Sequence, residues 1–104
     1  MDQLAHQPLH VAADEFGVVV LFGELDSEGG RVLDRALAAP DVRSPVELDV
    51  GSVTFVDSAG LRALLLIALR EEAAARRVTL RNPATVLIRL LTITGTLRQF
   101  DIVP

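Results

Sequence analysis

The chain has 104 residues, half of them apolar, no Cys, Trp or Tyr, and a formal net charge of −4. That length suits one domain with a single core, and the missing cysteines exclude disulfide scaffolds, thiolate metal centres and thiol chemistry. Residues 1–57 hold three arginines against eleven carboxylates, and residues 58–104 hold seven arginines against three carboxylates. The net negative charge disfavours a nucleic-acid-binding role, which usually needs a basic face and often stacking aromatics, and the asymmetry reads as a salt-bridged surface, with steering of a protein partner as the alternative.

Residues 1–7 are polar and lack the apolar segment of a signal peptide. They are expected to form a flexible arm ahead of a single domain over residues 8–104. The longest apolar run, "ALLLIAL" at 63–69, falls far short of the roughly 20 residues a membrane-spanning helix needs. A soluble, cytoplasmic protein without membrane insertion is therefore expected.

"PLHVAADEFGVVVLFGELD" reads as a hairpin. Leu9, Val11 and Ala13 alternate, residues 14–17 supply turn chemistry, and 18–22 form a β-branched run. "DSEGGRVLDRALAAP" follows as a helix, with Asp26 and Ser27 as cap candidates, Val32, Leu33, Ala36 and Leu37 at helical spacing, and Pro40 closing it. In "PVELDV", Val46, Leu48 and Val50 share one face of a strand. The segment "GSVTFVD" reads as a loop, and the longest helix runs over about residues 59–76. Leu61, Leu64, Leu65, Ala68 and Leu69 are its expected buried stripe, which leaves Leu66 and Ile67 outside it. Arg76 and Arg77 fall at its C-terminal end, where cations complement the helix dipole.

A strand at 78–81, a helix over "NPATVLIRLLTITG" and a last strand at "FDIV" complete the chain. Asn82 is the expected N-cap of that helix, Pro83 its first residue and Gly95 its stop. The order β-β-α-β-α-β-α-β implies a mixed, mostly parallel α/β sheet.

Enzyme chemistry finds no candidate. Ser58 lies between a strand and a helix, the setting of a nucleophile elbow, but Val56 stands where the first glycine of that motif belongs. The histidines, His6 and His10, precede it and do not share a helical face for metal binding. Phosphate-loop and dinucleotide motifs are absent from the sequence. Glu24 and Asp26 could pass for an acid pair, but read as a solvated loop. No metal and no cofactor are expected. Taken alone, Asp57 and Ser58 are a helix cap.

Their company changes that reading. "GELD" after the second strand, then "LDVGSVTFVDSAGLRALL", then "RNPATVLIRLLTITG" resembles the STAS family over nearly the whole chain. More narrowly, it resembles the bacterial anti-sigma factor antagonists. The resemblance implies a mixed sheet with helices mainly on one side. It also implies a transcription regulator in which the serine after the aspartate, here Ser58, is phosphorylated by an anti-sigma factor of the serine kinase type and reset by a serine phosphatase. The unphosphorylated antagonist captures the kinase and frees the sigma factor. The family's aspartate in the G-E-L-D turn maps to Asp26. The expected partner surface is Asp26, Asp57, Ser58, Ala59 and Gly60 of these motifs, joined by Leu66 and Arg62, since the helical wheel leaves Leu66 exposed beside arginines and such residues anchor interfaces. Where the family often has a second hydroxyl residue, this chain has Ala59. Members often also continue past the last strand into a further helix. A rival role for a similar module is the small cytosolic subunit that docks on the ATPase of a lipid-transport ABC system. A third is a STAS module that is never phosphorylated.

Overall fold

A computed structural model describes residues 6–104 of the chain. Of the expected N-terminal arm, residues 1–5 lie outside the described residues. Five strands form one sheet in the order β1-β2-β3-β4-β5, and each helix connects neighbouring strands. The elements are β1 (His10–Ala13), β2 (Val19–Leu25), α1 (Ser27–Ala36), β3 (Glu47–Val56), α2 (Ser58–Ala73), β4 (Val78–Arg81), α3 (Thr85–Ile93) and β5 (Phe100–Val103), with a short 3-10 turn at Leu97–Gln99. Strand β1 pairs antiparallel to β2, and the remaining pairs are parallel. This is the mixed α/β architecture that the alternation of elements implies.

The two sheet faces differ because the side-chain period of a strand is two. Val19, Leu21, Leu48, Val50, Val78, Leu80 and Phe100 point one way and are buried beneath the helices. Leu33 of α1, Leu61 and Leu64 of α2, and Leu87 and Leu91 of α3 close that core from above. The opposite face carries His10, Phe22, Glu47, Asp49, Thr79, Arg81 and Asp101 and is covered by no helix among the described residues, so Phe22 and Phe55 are almost half exposed.

Four features depart from the expectations. The segment 51–56 is strand rather than loop. Strand β3 runs on to Val56 because β2 continues to pair with it through two bulges, one between the Val20 and Phe22 partners and one between the Gly23 and Glu24 partners. Each bulge inserts an extra residue and re-aims the next side chain, so burial moves to every third position at Val50, Val53 and Val56.

The second departure is the buried face of α2, which is Leu61, Leu64, Ile67, Ala68 and Glu71. Leu65 is only half-buried and Leu69 is 55% exposed, while Ile67, expected outside, is 3% exposed. Helix α1 lies beside α2 and covers Ile67, a neighbour that a wheel drawn on one helix does not contain. The crossing is close: a Cβ at Gly30 of α1 would sit 2.8 Å from the Ala63 Cβ.

Third, α3 starts at Thr85 with Ala84 as its N-cap. Asn82 stays with the sheet instead, at φ +51°, donating its backbone N–H to the Val103 carbonyl at 2.8 Å. The expected stop holds. Gly95 at φ +71° donates to Thr92 O, and Thr96 donates to Leu91 O, a Schellman closure.

Fourth, Arg76 and Arg77 lie beyond α2, which ends at Ala73. Each has a specific partner rather than the helix dipole. Arg77 Nε donates to Asp101 at 2.8 Å. Arg76 donates from Nε and Nη2 to the two oxygens of Glu71, both at 3.1 Å. Glu71 Oε1 also accepts the Val46 backbone N–H at 3.3 Å, tying the end of α2 to the start of β3. The Arg76 guanidinium is the main reason the Glu71 carboxyl lies below its ordinary value, with the Val46 N–H adding to the effect and burial opposing it.

Two stability predictions follow from the end of α2. Its Schellman closure places Ala75 at φ +59°, where an L side chain costs about 1 kcal/mol. Ala75→Gly should therefore raise stability by about 0.5 kcal/mol, part of the gain being lost to glycine's greater chain entropy, readable as a shift in the urea midpoint. Glu71→Gln weakens a charged pair and should cost about 1–3 kcal/mol. Because the folded carboxyl titrates below the unfolded one, its contribution is complete above the unfolded value of 4.5 and is lost as pH falls through the folded value. The stability of Glu71→Gln should accordingly change less than wild type below about pH 4.5, measured by urea titration across pH.

Candidate functional site

The parallel partnership of Leu25 with Val56 brings the next residues, Asp26 and Asp57, to the same rim of the sheet. Each strand passes straight into a helix there, and the four residues that make the turn repeat. Asp26-Ser27-Glu28-Gly29 opens α1 and Asp57-Ser58-Ala59-Gly60 opens α2. In each, the aspartate is extended and its Oδ1 accepts the glycine N–H, at 2.8 Å in α1 and 2.9 Å in α2. This is N-capping by the residue type best suited to it.

The glycines permit the approach. A Cβ at Gly29 would lie 2.6 Å from the Glu24 carbonyl oxygen, and one at Gly60 would collide with the Leu25 carbonyl. Gly60 therefore acts by being small and buried, while Ala59 is half-buried and Ser58 exposed. Ser58 is the first residue of α2, where backbone N–H groups lack helical partners and the dipole is positive. An anion on its hydroxyl would meet that favourable field and, against it, the Asp57 carboxylate next in sequence.

Asp26 is held by more than its cap. His6 Nε2 lies 3.0 Å from Asp26 Oδ2 and 3.4 Å from Glu24 Oε1. Gln7 adds two backbone bonds, its N–H to Glu24 Oε2 at 3.2 Å and its carbonyl from the Glu24 N–H at 2.9 Å. Glu24 and Asp26, expected as a solvated loop, thus form one cluster with His6, whose three ligand-type atoms lie within 4.8 Å of one another and could hold a cation. The hydrogen bond to Asp26 is the main reason the His6 imidazole is raised above its ordinary value, with the nearby carboxylates adding to it. Asp26 is lowered, first by the Gly29 N–H and then by His6, against some desolvation.

Sequence reasoning missed His6 and Ser27. The hairpin register contained the signal for His6: β1–β2 partners such as Val11 with Leu21 have numbers that add to 32, and so do 6 and 26. Ser27 is the counterpart of Ser58 in the repeated turn and is likewise exposed.

Arg62 and Leu66 lie further along α2, both exposed, Leu66 at 48%. They edge a groove of about 990 Å³ between α1 and α2 that begins beside Ser27 and Ala59. The residues expected to form the partner surface therefore divide into an acidic rim with Asp26, Asp57 and Ser58, and a groove edge with Arg62 and Leu66.

A titration tests the clasp. His6 should titrate above 6.5 and return toward that value in Asp26→Asn, followed by its imidazole resonances in NMR. The sign is fixed by the direction of each shift. The His6 contribution is complete below 6.5 and lost as pH rises through the raised value. That of Asp26 is complete above 3.8 and lost as pH falls through the lowered value. An unchanged His6 midpoint in Asp26→Asn would disprove the pairing.

Comparison with known proteins agrees with this architecture. A family model described as "Mlab, STAS domain" matches residues 10–103. No curated protein sequence matches the chain significantly. Among solved structures, a Thermotoga maritima protein assigned to the anti-sigma factor antagonists superimposes with a TM-score of 0.69 at 19% identity, covering 94% of this chain and 86% of that one. The anti-sigma factor antagonist SpoIIAA in its unphosphorylated form superimposes with a TM-score of 0.60 at 22% identity, covering 92% and 86%. Among the described residues, no helix is long and apolar enough to cross a membrane. With its five-stranded sheet, its one-sided helices and a family match over residues 10–103, the chain belongs to the STAS domain family.

Proposed function

We propose that this domain is an anti-sigma factor antagonist of the cytoplasm. It sequesters an anti-sigma factor of the serine kinase type, is switched off by phosphorylation at Ser58, and is reset by a serine phosphatase. The observation that carries the reading is the position of Ser58, exposed at the first turn of an Asp57-capped helix on the same rim as Asp26. The fold shared with SpoIIAA supports it.

The physics suits a switch that leaves the fold intact. The helix N-terminus offsets part of a phosphate's charge, so the domain stays folded. The added charge of nearly −2 still changes the surface. A partner must then desolvate a dianion or bring its own carboxylates or nucleotide phosphates against it. A loss of about 2 kcal/mol lowers affinity about 30-fold.

The matching family model carries the Mlab description rather than that of the antagonists, and this keeps a second reading: a small cytosolic subunit docking on the ATPase of a lipid-transport ABC system. A native pull-down separates the two, returning a kinase-fold protein or an ABC ATPase.

The decisive experiment is incubation with the candidate kinase and ATP, followed by intact mass and site mapping. One phosphate on Ser58, and none on Ser27, Ser52 or Thr54, is the expected result. In calorimetry, Ser58→Ala should bind the kinase constitutively and Ser58→Glu should bind at least about 10-fold more weakly, with unchanged circular dichroism in both. Asp26→Asn should weaken recognition without unfolding the domain. Equal affinity of the Ala and Glu variants would leave Ser58 as a helix residue only.

A further inference from the structure

The groove between α1 and α2 has a charge opposite to the rest of the molecule. Arg31 and Arg35 stand on the α1 wall and Arg62 and Arg70 on the α2 wall, against the single lining carboxylate of Asp34, in a chain whose net charge is −4. Asp34 is already paired with Arg70 at 2.6 Å, which leaves the other three arginines to define the field. The floor between the walls is apolar and made shallow by small residues, with Gly30 and Ala63 in contact and Ile67 buried below them. Leu66 and Leu69 rise beside the arginines and are about half exposed.

The spacing is helical. Leu66, Leu69 and Ala73 follow at i, i+3 and i+7 along the groove edge, the arrangement against which an amphipathic helix lays its own stripe. Arg62 stands one turn before Leu66, about 6 Å along α2, so a docked helix meets positive charge where that stripe begins. A basic helix would be repelled from both walls, and an uncharged one would leave the arginines uncompensated.

We propose that this groove receives an acidic amphipathic helix of a partner protein, its apolar stripe over Leu66 and Leu69 and its carboxylates toward Arg31, Arg35 and Arg62. The proposal rests on the reading above that this end of the molecule meets a protein partner. It adds what the partner presents and separates two tasks: the acidic rim with Ser58 decides whether docking proceeds, and the basic groove recognises what docks. Charge complementarity of this kind sets association rate and choice of partner more than raw affinity, and it weakens with salt.

The test uses the full chain and two stapled amphipathic peptides sharing one leucine stripe, the first with glutamates on both flanks and the second with lysines in their place. Fluorescence anisotropy measures affinity, and amide chemical shifts locate the site. The glutamate peptide should shift the amides of Arg31, Arg35, Arg62, Leu66 and Leu69, and should bind about 10-fold more tightly than its lysine twin. Arg62→Glu and the Leu66→Ala, Leu69→Ala double variant should each weaken it about 10-fold. Arg35→Glu provides a variant on the opposite wall that leaves α2 untouched.

Several results overturn the proposal: equal binding of the two peptides, shifts centred on the uncovered sheet face, stronger groove-dependent binding to anionic phosphatidylglycerol vesicles than to the peptide, or concentration-dependent self-association abolished by the leucine variant. The outcome is separable from that of the Ser58 switch. A kinase bound equally well by wild type and by the Arg62 and leucine variants removes the groove and leaves the switch. Glutamate-peptide binding in the groove with no kinase recognised does the reverse.

Discussion

The first turn of α2 rests directly on the carbonyl that ends β2, and the rim is organised by that approach. Asp57 donates its N–H to Leu25 O at 3.4 Å, and a Cβ on Gly60 would occupy the space the carbonyl fills. The glycine also receives the Asp57 cap, so one residue supplies both the clearance and the hydrogen-bond donor. Any side chain there forces the helix away from the strand and takes Asp57 and Ser58 with it. The parallel pairing of Leu25 with Val56 then fixes where Asp26 stands. Position on this rim is thus set by backbone contacts, which a change of surface charge does not remake.

Electrostatics are distributed to match. Glu24, Asp26 and Asp57 gather where β2 and β3 end, while the arginines of the later sequence spread along the helices and across the sheet. Arg70 meets Asp34 and Arg81 meets Glu47, each at 2.6 Å, so residues of the acidic half partner those of the basic half. Exposed pairs of this kind contribute about 0–1 kcal/mol each. The Glu71 pair differs because its carboxylate is buried and also holds the Val46 N–H, which makes it a joint between α2 and β3.

The order of elements was legible because each carries its own period, the alternation of Val46, Leu48 and Val50 against the helical spacing of Leu61, Leu64 and Ala68. The turn chemistry of Asp26, Asp57 and Gly95 was legible as well, since capping is local. What the sequence hid depended on neighbours. Gly51 and Ser52 look like a loop until β2 is placed beside them, and the bulges exist only in that pairing. Ile67 looks exposed until α1 lies against it. Asn82 looks like a cap until the end of β5 accepts its N–H. For the site, Ser58 and Asp26 stood out by motif, whereas His6 required the hairpin register, and the repeated Asp-Ser-x-Gly turn required comparing two segments 31 positions apart.

The strand directions have a practical bearing on how the protein is handled. Strand β1 runs against the other four, so His10 lies opposite Phe22, and β5 finishes at Val103 level with Arg81. Through Arg81 and Asp49 the end of β5 is level with Val20, and the start of β1 is level with Phe22, so both stop short of the Leu25–Val56 pair that leads into the Ser58 rim, at opposite edges of the sheet four strand spacings apart, about 19 Å. A fluorophore attached at His10 or at Val103 therefore reports from a sheet edge rather than from the Ser58 rim itself. The attachment point farthest from Ser58 is the 14–17 turn at the opposite rim, where Phe16 and Glu15 are exposed to solvent.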